Sequence, residues 1–192
     1  VPAAADADAY LITGSRHSVY DDLPWLPPLV QCVREVLATQ RPVVGICFGH
    51  QLLAHYFGGR VVRAPQGWGV GVQTAAIVRR AGWMTPEADE VRLLASHQDQ
   101  VTALPEGAEL FAGSAFCPLA GYTVGDRVLT FQGHPEFNRE YAAALLDSRR
   151  ELLGPEVYER AVASLAEPTN EEVVGRWIHS FIGRALRRRA AA

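Results

Sequence analysis

The sequence predicts an α/β fold in which helices flank a mostly parallel β-sheet. Three observations lead to this class. Residues 1–60 alternate between apolar strand-like runs and helix-like patterns, which is typical of parallel strands covered by helices. Residues 61–131 contain short strand-like runs joined by Gly/Pro turns, and residues from 140 onward have helical periodicity. We therefore expect a parallel core, an added antiparallel strand region and a helical C-terminal tail.

The first four elements follow from local patterns. The apolar run Ala9–Thr13 ends in Gly-Ser and predicts a buried strand that enters a loop. From Leu26 the apolar residues recur at helical spacing, next to prolines that suit a helix entrance. Pro42–Cys47 is apolar throughout, as a strand buried on both faces should be, and Phe48–Phe57 is a helix that ends at a Gly-Gly pair.

The remaining elements complete one predicted domain. Strands are expected at Val61–Arg63, Gly69–Val78, Val91–Ala95, Leu110–Ala112 and Val128–Phe131. Helices are expected at Tyr141–Leu153, Glu156–Leu165 and Glu171–Leu186. Because no internal repeat or low-complexity linker divides the chain, we expect a single domain over residues 1–192, with a helical extension over 138–192.

Composition limits the classes of function. The net charge of −3 leaves no basic surplus to neutralise phosphates, so nucleic acid is not an expected partner. No window holds the ~18 apolar residues that span a bilayer, and the start of the sequence lacks the positive segment of a secretion signal. Three cysteines, an odd number, suit a reducing compartment. We therefore expect a cytoplasmic protein that does not contact a membrane.

No cofactor is expected from the sequence. The histidines are scattered and the cysteines are not paired at ligand spacing, so nothing indicates a metal site. A phosphate-binding loop of the GxxxxGK[ST] type is also missing from the sequence.

A cysteine stands at the second predicted strand–helix junction. The segment GICFG, Gly45–Gly49, has the form of a nucleophile elbow with Cys47 in place of serine. A sharp turn lifts such a side chain clear of the backbone, and the free N–H groups and dipole of the new helix favour a thiolate, the nucleophilic form. The N–H group of Phe48 is placed to stabilise an oxyanion beside the sulfur. These features predict a nucleophilic cysteine.

A thiol nucleophile needs a base, and His134 is the best of six histidines. It follows an apolar strand in the segment FQGHPEF, and Pro135 favours extended backbone. In extended chain, residues two apart point to the same side, so Glu136 can orient the imidazole. Cys47, His134 and Glu136 thus form a predicted set of nucleophile, acid–base group and orienting carboxylate.

These residues resemble the class I (triad) glutamine amidotransferase family over about Leu11 to Glu136. The motifs that carry the resemblance are GICFGHQ with a following GG, GHPE, ITGSRHSVYDD, GWGVG, SHQDQV and FCPLAG. The resemblance implies a flavodoxin-like arrangement of the sheet. It also implies a strand ahead of Ile12, which this sequence does not contain, so we expect the sheet to lack the family's first strand.

The resemblance further implies roles for five residues. The N–H groups of Ser15 and Phe48 would form the oxyanion hole. Gln51 would contact the glutamyl portion of the substrate. Ser96 and Asp99, with the backbone of their loop, would receive the α-amino and α-carboxylate groups.

The implied reaction is hydrolysis of the side-chain amide of glutamine, or of a related γ-glutamyl amide, through a γ-glutamyl thioester. Cys47 attacks the amide carbon, and His134 protonates the departing ammonia and then activates water. The ammonia would pass to a separate synthetase subunit or to solvent. The alternatives are a γ-glutamyl peptide hydrolase and a regulatory glutaminase-like subunit that is inactive without a synthetase partner. An α/β-hydrolase with a cysteine elbow is disfavoured, because that fold places its acid between the nucleophile and the histidine in the chain.

Overall fold

A computed structural model describes residues 1–191. Over these residues the chain forms nine strands and six helices, and seven of the strands make up one central sheet. The strands are β1 (Tyr10–Ile12), β2 (Val43–Ile46), β3 (Arg60–Arg63), β4 (Gly69–Ile77), β5 (Glu90–His97), β6 (Asp99–Ala103), β7 (Ala108–Gly113), β8 (Gly121–Val124) and β9 (Val128–Phe131). The helices are α1 (Leu26–Ala38), α2 (Phe48–His55), α3 (Arg139–Ser148), α4 (Arg150–Leu153), α5 (Pro155–Ser164) and α6 (Glu171–Ala190). Residue 192, the end of the expected domain and helical extension, lies outside the described residues.

The strand order divides the large sheet into a parallel and an antiparallel part. The order is β1-β2-β9-β8-β7-β4-β5, while β3 and β6 form a separate two-stranded sheet. Strands β1, β2 and β9 are parallel, and the other four strands continue the sheet with antiparallel pairs. The expected α/β class with an antiparallel region is confirmed. Because the carboxyl ends of parallel strands share one edge of a sheet, the loops after β1, β2 and β9 meet there.

Helices cover both faces of the parallel part. Val43 packs in a core with α1 and α2, whereas its neighbour Val44 packs in a second core with Trp177 and Phe181 of α6. Both valines are fully buried. Since successive side chains of a strand point to opposite faces, a strand between two helical layers must be apolar at every position. This explains the unbroken apolar run that leads into Cys47.

Helix α6 is the longest of the described helices, and its charges suit its direction. Glu171 and Glu172 lie in the first turn and Arg187–Arg189 in the last, which complements the helix macrodipole. Within residues 1–191, no helix is long and apolar enough to cross a membrane.

Four features differ from the sequence expectation. Strand β1 was expected to be buried, but it lies at the edge of the sheet, where Tyr10 and Ile12 are partly buried and Leu11 is 51% exposed. Strands β6 and β8 were not predicted, because β6 begins with a polar Asp-Gln pair and β8, GYTV, contains a glycine and a threonine and no run of apolar residues. Their hydrogen-bonding partners, β3 for β6 and β7 with β9 for β8, stabilise them instead. The helix expected over Tyr141–Leu153 is interrupted at Arg149, whose backbone (φ −110°, ψ 9°) leaves the helical conformation.

We predict that Gly49→Ala strongly destabilises the fold. A Cβ at Gly49 would lie 2.3 Å from the carbonyl oxygen of Ile12, a backbone atom that cannot move without shifting β1. We expect the free energy of unfolding to fall by about 3 kcal/mol, as overpacking of a tight core does. Chemical denaturation measures this change. The matched control is Gly175→Ala in α6, where no atom lies within 4 Å of the new Cβ. It should raise the free energy of unfolding by about 0.5–1 kcal/mol, and an equal effect of both substitutions would contradict the proposed contact.

Candidate active site

Cys47 occupies the sharp turn between β2 and α2. Its backbone has φ +51° and ψ −96°, a conformation that residues other than glycine rarely adopt. The N–H of Cys47 donates to the carbonyl of Phe131 at 2.8 Å, and its own carbonyl accepts from the N–H of Gln51 at 3.0 Å. These two bonds, one to the neighbouring strand and one to the following helix, hold the strained turn in place.

A glycine before the turn allows the close approach. A Cβ at Gly45 would lie 2.6 Å from the carbonyl carbon of Gly49, so neither the strand end nor the helix start tolerates a side chain at that point. The first helical N–H belongs to Phe48 and therefore has no carbonyl one turn earlier in the helix to accept it. The sharp strand–helix turn predicted from GICFG is therefore present.

His134 follows the end of β9 and is clamped on several sides. Its N–H donates to the carbonyl of Leu94 at 2.8 Å, and its Nδ1 lies 2.8 Å from Oε1 of Glu136. The ring stacks on Phe137 with a centroid distance of 3.8 Å and an interplanar angle of 10°. On the β1 side, a Cβ at Gly14 would lie 2.6 Å from Cε1 of the imidazole. The ring is thus fixed in the orientation that the His-Pro-Glu spacing predicted.

The pKa of His134 is raised by its partners. Burial of the ring lowers the pKa, but interaction with Cys47 and with Glu136 outweighs burial and raises the pKa to about 9. The imidazole is therefore mostly protonated at neutral pH.

The predicted substrate residues Gln51, Ser96 and Asp99 line one cleft with Cys47 and Ser15, and the volume of this cleft is about 430 Å³. The side-chain nitrogen of Gln51 donates to the backbone carbonyl of Asp99 at 2.9 Å. The structure therefore brings these groups, which are far apart in the chain, to one surface at the carboxyl ends of the parallel strands.

Asp99 and its turn are held by hydrogen bonds. The hydroxyl groups of Ser18 and Tyr20 both donate to its carboxylate, Tyr20 at 2.7 Å. Nδ1 of His97 lies 3.0 Å from the Asp99 carbonyl oxygen, and burial lowers the pKa of His97 to about 4, so this imidazole is neutral. This geometry fits a histidine that supports the turn.

Sequence reasoning missed three residues of the cleft wall that lie outside all of the quoted motifs: Arg63, Arg149 and Leu152. Of these, Arg149 hydrogen-bonds to a predicted site residue, because its Nη1 donates to Oγ of Ser96 at 2.6 Å. Nothing in the helical pattern of residues 141–153 marked it, since its position depends on the break between α3 and α4.

Comparison with known proteins decides the family. The model of the family "Glutamine amidotransferase class-I" matches residues 2–147. The chain belongs to this family. A solved glutamine amidotransferase structure from Methylobacillus flagellatus is similar to the chain, with a TM-score of 0.74 and 26% identity, over 94% of this chain and 80% of that one.

Two curated relatives of this glutamine amidotransferase family member have named activities. γ-Glutamyl peptidase 3 of Arabidopsis thaliana is 32% identical over 170 residues, which is 85% of this chain and 67% of the peptidase. A glutamine-hydrolysing GMP synthase subunit of Halobacterium salinarum is 32% identical over 136 residues, which is 70% of this chain and 69% of that protein. The chain spans about two thirds of the length of these relatives, so their named activities belong to longer proteins.

We predict that the free energy of unfolding decreases between pH 6.5 and pH 9. The pKa of His134 is about 9 in the folded protein and close to the ordinary value of 6.5 in the unfolded chain, so the folded state binds the proton more tightly. The stabilisation is complete below pH 6.5 and is lost as the pH rises through about 9. Denaturation at a series of pH values measures this decrease.

Glu136→Gln should reduce this pH dependence, because it removes one of the groups that raise the pKa of His134. NMR titration of the imidazole should give a pKa below that of the wild type. Glu140→Gln, in the first turn of α3, is the control and should leave the titration unchanged. An unaltered pKa of His134 in Glu136→Gln would contradict the described contact.

Proposed function

We propose that this chain hydrolyses a γ-glutamyl amide, glutamine or a related compound, through a Cys47–His134–Glu136 triad. One observation carries the proposal. Cys47 sits at a strained elbow in a cleft, next to an imidazole that bonds Glu136 at 2.8 Å and whose pKa is about 9. A nucleophile, a proton donor and an orienting carboxylate in this arrangement are what acyl transfer requires.

The first half-reaction forms a thioester. The sulfur of Cys47, as thiolate, bonds to the side-chain amide carbon of the substrate, and the carbonyl electron pair moves onto oxygen. We expect the N–H groups of Phe48 and Ser15 to stabilise this oxyanion, each donor contributing roughly 3 kcal/mol to the barrier reduction. Collapse of the intermediate breaks the C–N bond, and His134 gives its proton to the departing nitrogen. The raised pKa of His134 supports this step, because the proton is already on the ring at neutral pH.

The second half-reaction releases glutamate. His134, now neutral, removes a proton from water as the water oxygen bonds to the thioester carbon. Collapse of the second intermediate breaks the C–S bond, and the thiolate and the protonated imidazole are restored. Glu136, which contacts Nδ1, stabilises the imidazolium whenever the ring is protonated.

We expect Gln51, Ser96 and Asp99 to hold the glutamyl group. The side-chain nitrogen of Gln51 donates to the Asp99 carbonyl and to Oε1 of Gln132, the latter at 3.1 Å. The side-chain oxygen of Gln51 is therefore the atom left to accept a hydrogen bond from the substrate. The hydroxyl of Ser96 accepts from Arg149 and retains its own proton for donation. Among the described residues that line the cleft, Asp99 carries the one carboxylate, and this group suits the α-ammonium group.

γ-Glutamyl peptide hydrolysis is a second candidate, because the same triad can expel an amino acid in place of ammonia. The cleft of about 430 Å³ leaves room beside a glutamyl group for a leaving residue. The similarity to γ-glutamyl peptidase 3 supports the same interpretation. The similarity to the GMP synthase subunit instead supports transfer of ammonia to a separate synthetase. It also supports the alternative that the chain is inactive without such a partner.

We predict that Cys47→Ala abolishes release of glutamate from glutamine and from γ-glutamyl dipeptides, because no other group replaces the attacking sulfur. Glutamate formation measured by a coupled assay checks this. Cys32→Ala, which removes another buried thiol from α1, is the control and should retain activity.

The substrate panel separates the candidates. Turnover of glutamine with little turnover of dipeptides indicates a glutaminase, and the reverse indicates a peptidase. Residual wild-type rates in Cys47→Ala would contradict the proposed mechanism. No hydrolysis by the wild-type chain alone would favour the partner-dependent alternative.

A further inference from the structure

The cleft is cationic although the whole chain has a net charge of −3. Its described lining includes three arginines, Arg16, Arg63 and Arg149, and a single carboxylate, that of Asp99. Within the described part of the chain, none of the three guanidinium groups is within ion-pair distance of a carboxylate. Positive charge that the protein leaves uncompensated in a cleft attracts an anionic ligand.

Arg149 is the arginine whose position is fixed. Its Nη1 donates to Oγ of Ser96 at 2.6 Å, and its guanidinium lies over the ring of Trp68, 5.5 Å from the centroid. Arg63 and Arg16 are exposed side chains, whereas Arg149 is half-buried. A guanidinium has five N–H donors, and the hydrogen bond to Ser96 uses one of them.

The helical extension places this side chain at the cleft. Arg149 lies between α3 and α4. Its N–H donates to the carbonyl of Leu146 at 3.0 Å, and its carbonyl accepts from the N–H of Leu153 at 2.9 Å. The family match ends at residue 147, two residues earlier. One wall of the cleft is therefore built by a segment beyond the matched part of the chain.

We propose that Arg149 is a specificity-determining residue that binds a carboxylate of the γ-glutamyl substrate. The inference rests on the proposed function. A planar guanidinium held on one side by Ser96 and Trp68 presents its remaining donors in the fork geometry that a carboxylate accepts. A γ-glutamyl dipeptide carries two such groups, the α-carboxylate of the glutamyl part and the terminal carboxylate of the leaving residue. Free glutamine carries only the first.

The experiment measures ligand binding, so it does not depend on turnover. The protein carries Cys47→Ala, and dissociation constants are measured by calorimetry for γ-glutamylglycine and two neutralised forms of it. In one form the glycine carboxylate is an amide, and in the other the glutamyl α-carboxylate is an amide. Each ligand is titrated into this protein with Arg149 intact and with Arg149→Met, Arg149→Lys or Arg150→Met.

We expect Arg149→Met to weaken binding of γ-glutamylglycine roughly 10- to 100-fold, the usual effect of removing hydrogen bonds to a charged group. This loss of affinity should almost disappear for one of the two amides. The carboxylate that is neutralised in that amide is the one that Arg149 binds. Arg149→Lys keeps the charge but not the fork and should fall between wild type and Arg149→Met. Arg150→Met is the matched control, because Arg150 stacks on Tyr158 outside the cleft and should not affect binding.

Other results overturn the inference. An equal loss for all three ligands would mean that Arg149 only supports Ser96. Unchanged binding of γ-glutamylglycine in Arg149→Met would mean that the guanidinium does not contact the ligand. Thermal unfolding of each variant checks that the fold is intact. Hydrolysis is measured separately, with protein that retains Cys47, and tests the proposed function. If this protein is active but Arg149→Met does not change the dissociation constants, the role of Arg149 is contradicted and the proposed function is not.

Discussion

The positive φ of Cys47 is the constraint on which the site depends. A residue with a Cβ holds this conformation only when its surroundings leave no alternative, and here a strand buried on both faces leads into it and a helix starts directly after it. Gly45 and Gly49 let β2, α2 and β1 approach to distances that no side chain would permit. The tight backbone contact fixes where the sulfur lies relative to every other group in the cleft.

Three neighbouring parallel strands then deliver the remaining groups to the same edge. The loop after β1 carries Ser15, the turn after β2 carries Cys47, and the segment after β9 carries His134 and Glu136. Because register pairs Ile12 with Gly45 and Ile46 with Phe131, these segments leave the sheet at nearly the same level. The histidine is buried, which alone would favour its neutral form, so its raised pKa reflects charge and hydrogen bonding supplied by its two neighbours.

The cleft combines parts of different origin in the chain. The family-like segment supplies Cys47 at the elbow and the turn at Asp99, and the helical extension supplies the wall that carries Arg149. The hydroxyl groups of Ser18 and Tyr20 join the loop after β1 to Asp99, so the loop that carries Ser15 and the turn at Asp99 are linked by hydrogen bonds. A change in one of these loops should therefore alter both the position of Ser15, a proposed oxyanion donor, and that of Asp99, a proposed substrate-binding residue.

The sequence alone determined the features that depend on neighbouring residues: the apolar strand before Cys47, the glycines around it, the helix after it and the two-residue spacing between His134 and Glu136. The pairing of β6 and β8 and the position of Arg149 were decided by tertiary structure. The contact between Ser18 and Asp99 joins residues 81 positions apart, and that between Arg149 and Ser96 joins residues 53 apart. Periodicity is a property of windows of roughly 11–18 residues, so such contacts leave no signal in it. They form only after hydrophobic burial has folded the chain and brought these polar side chains to one cleft.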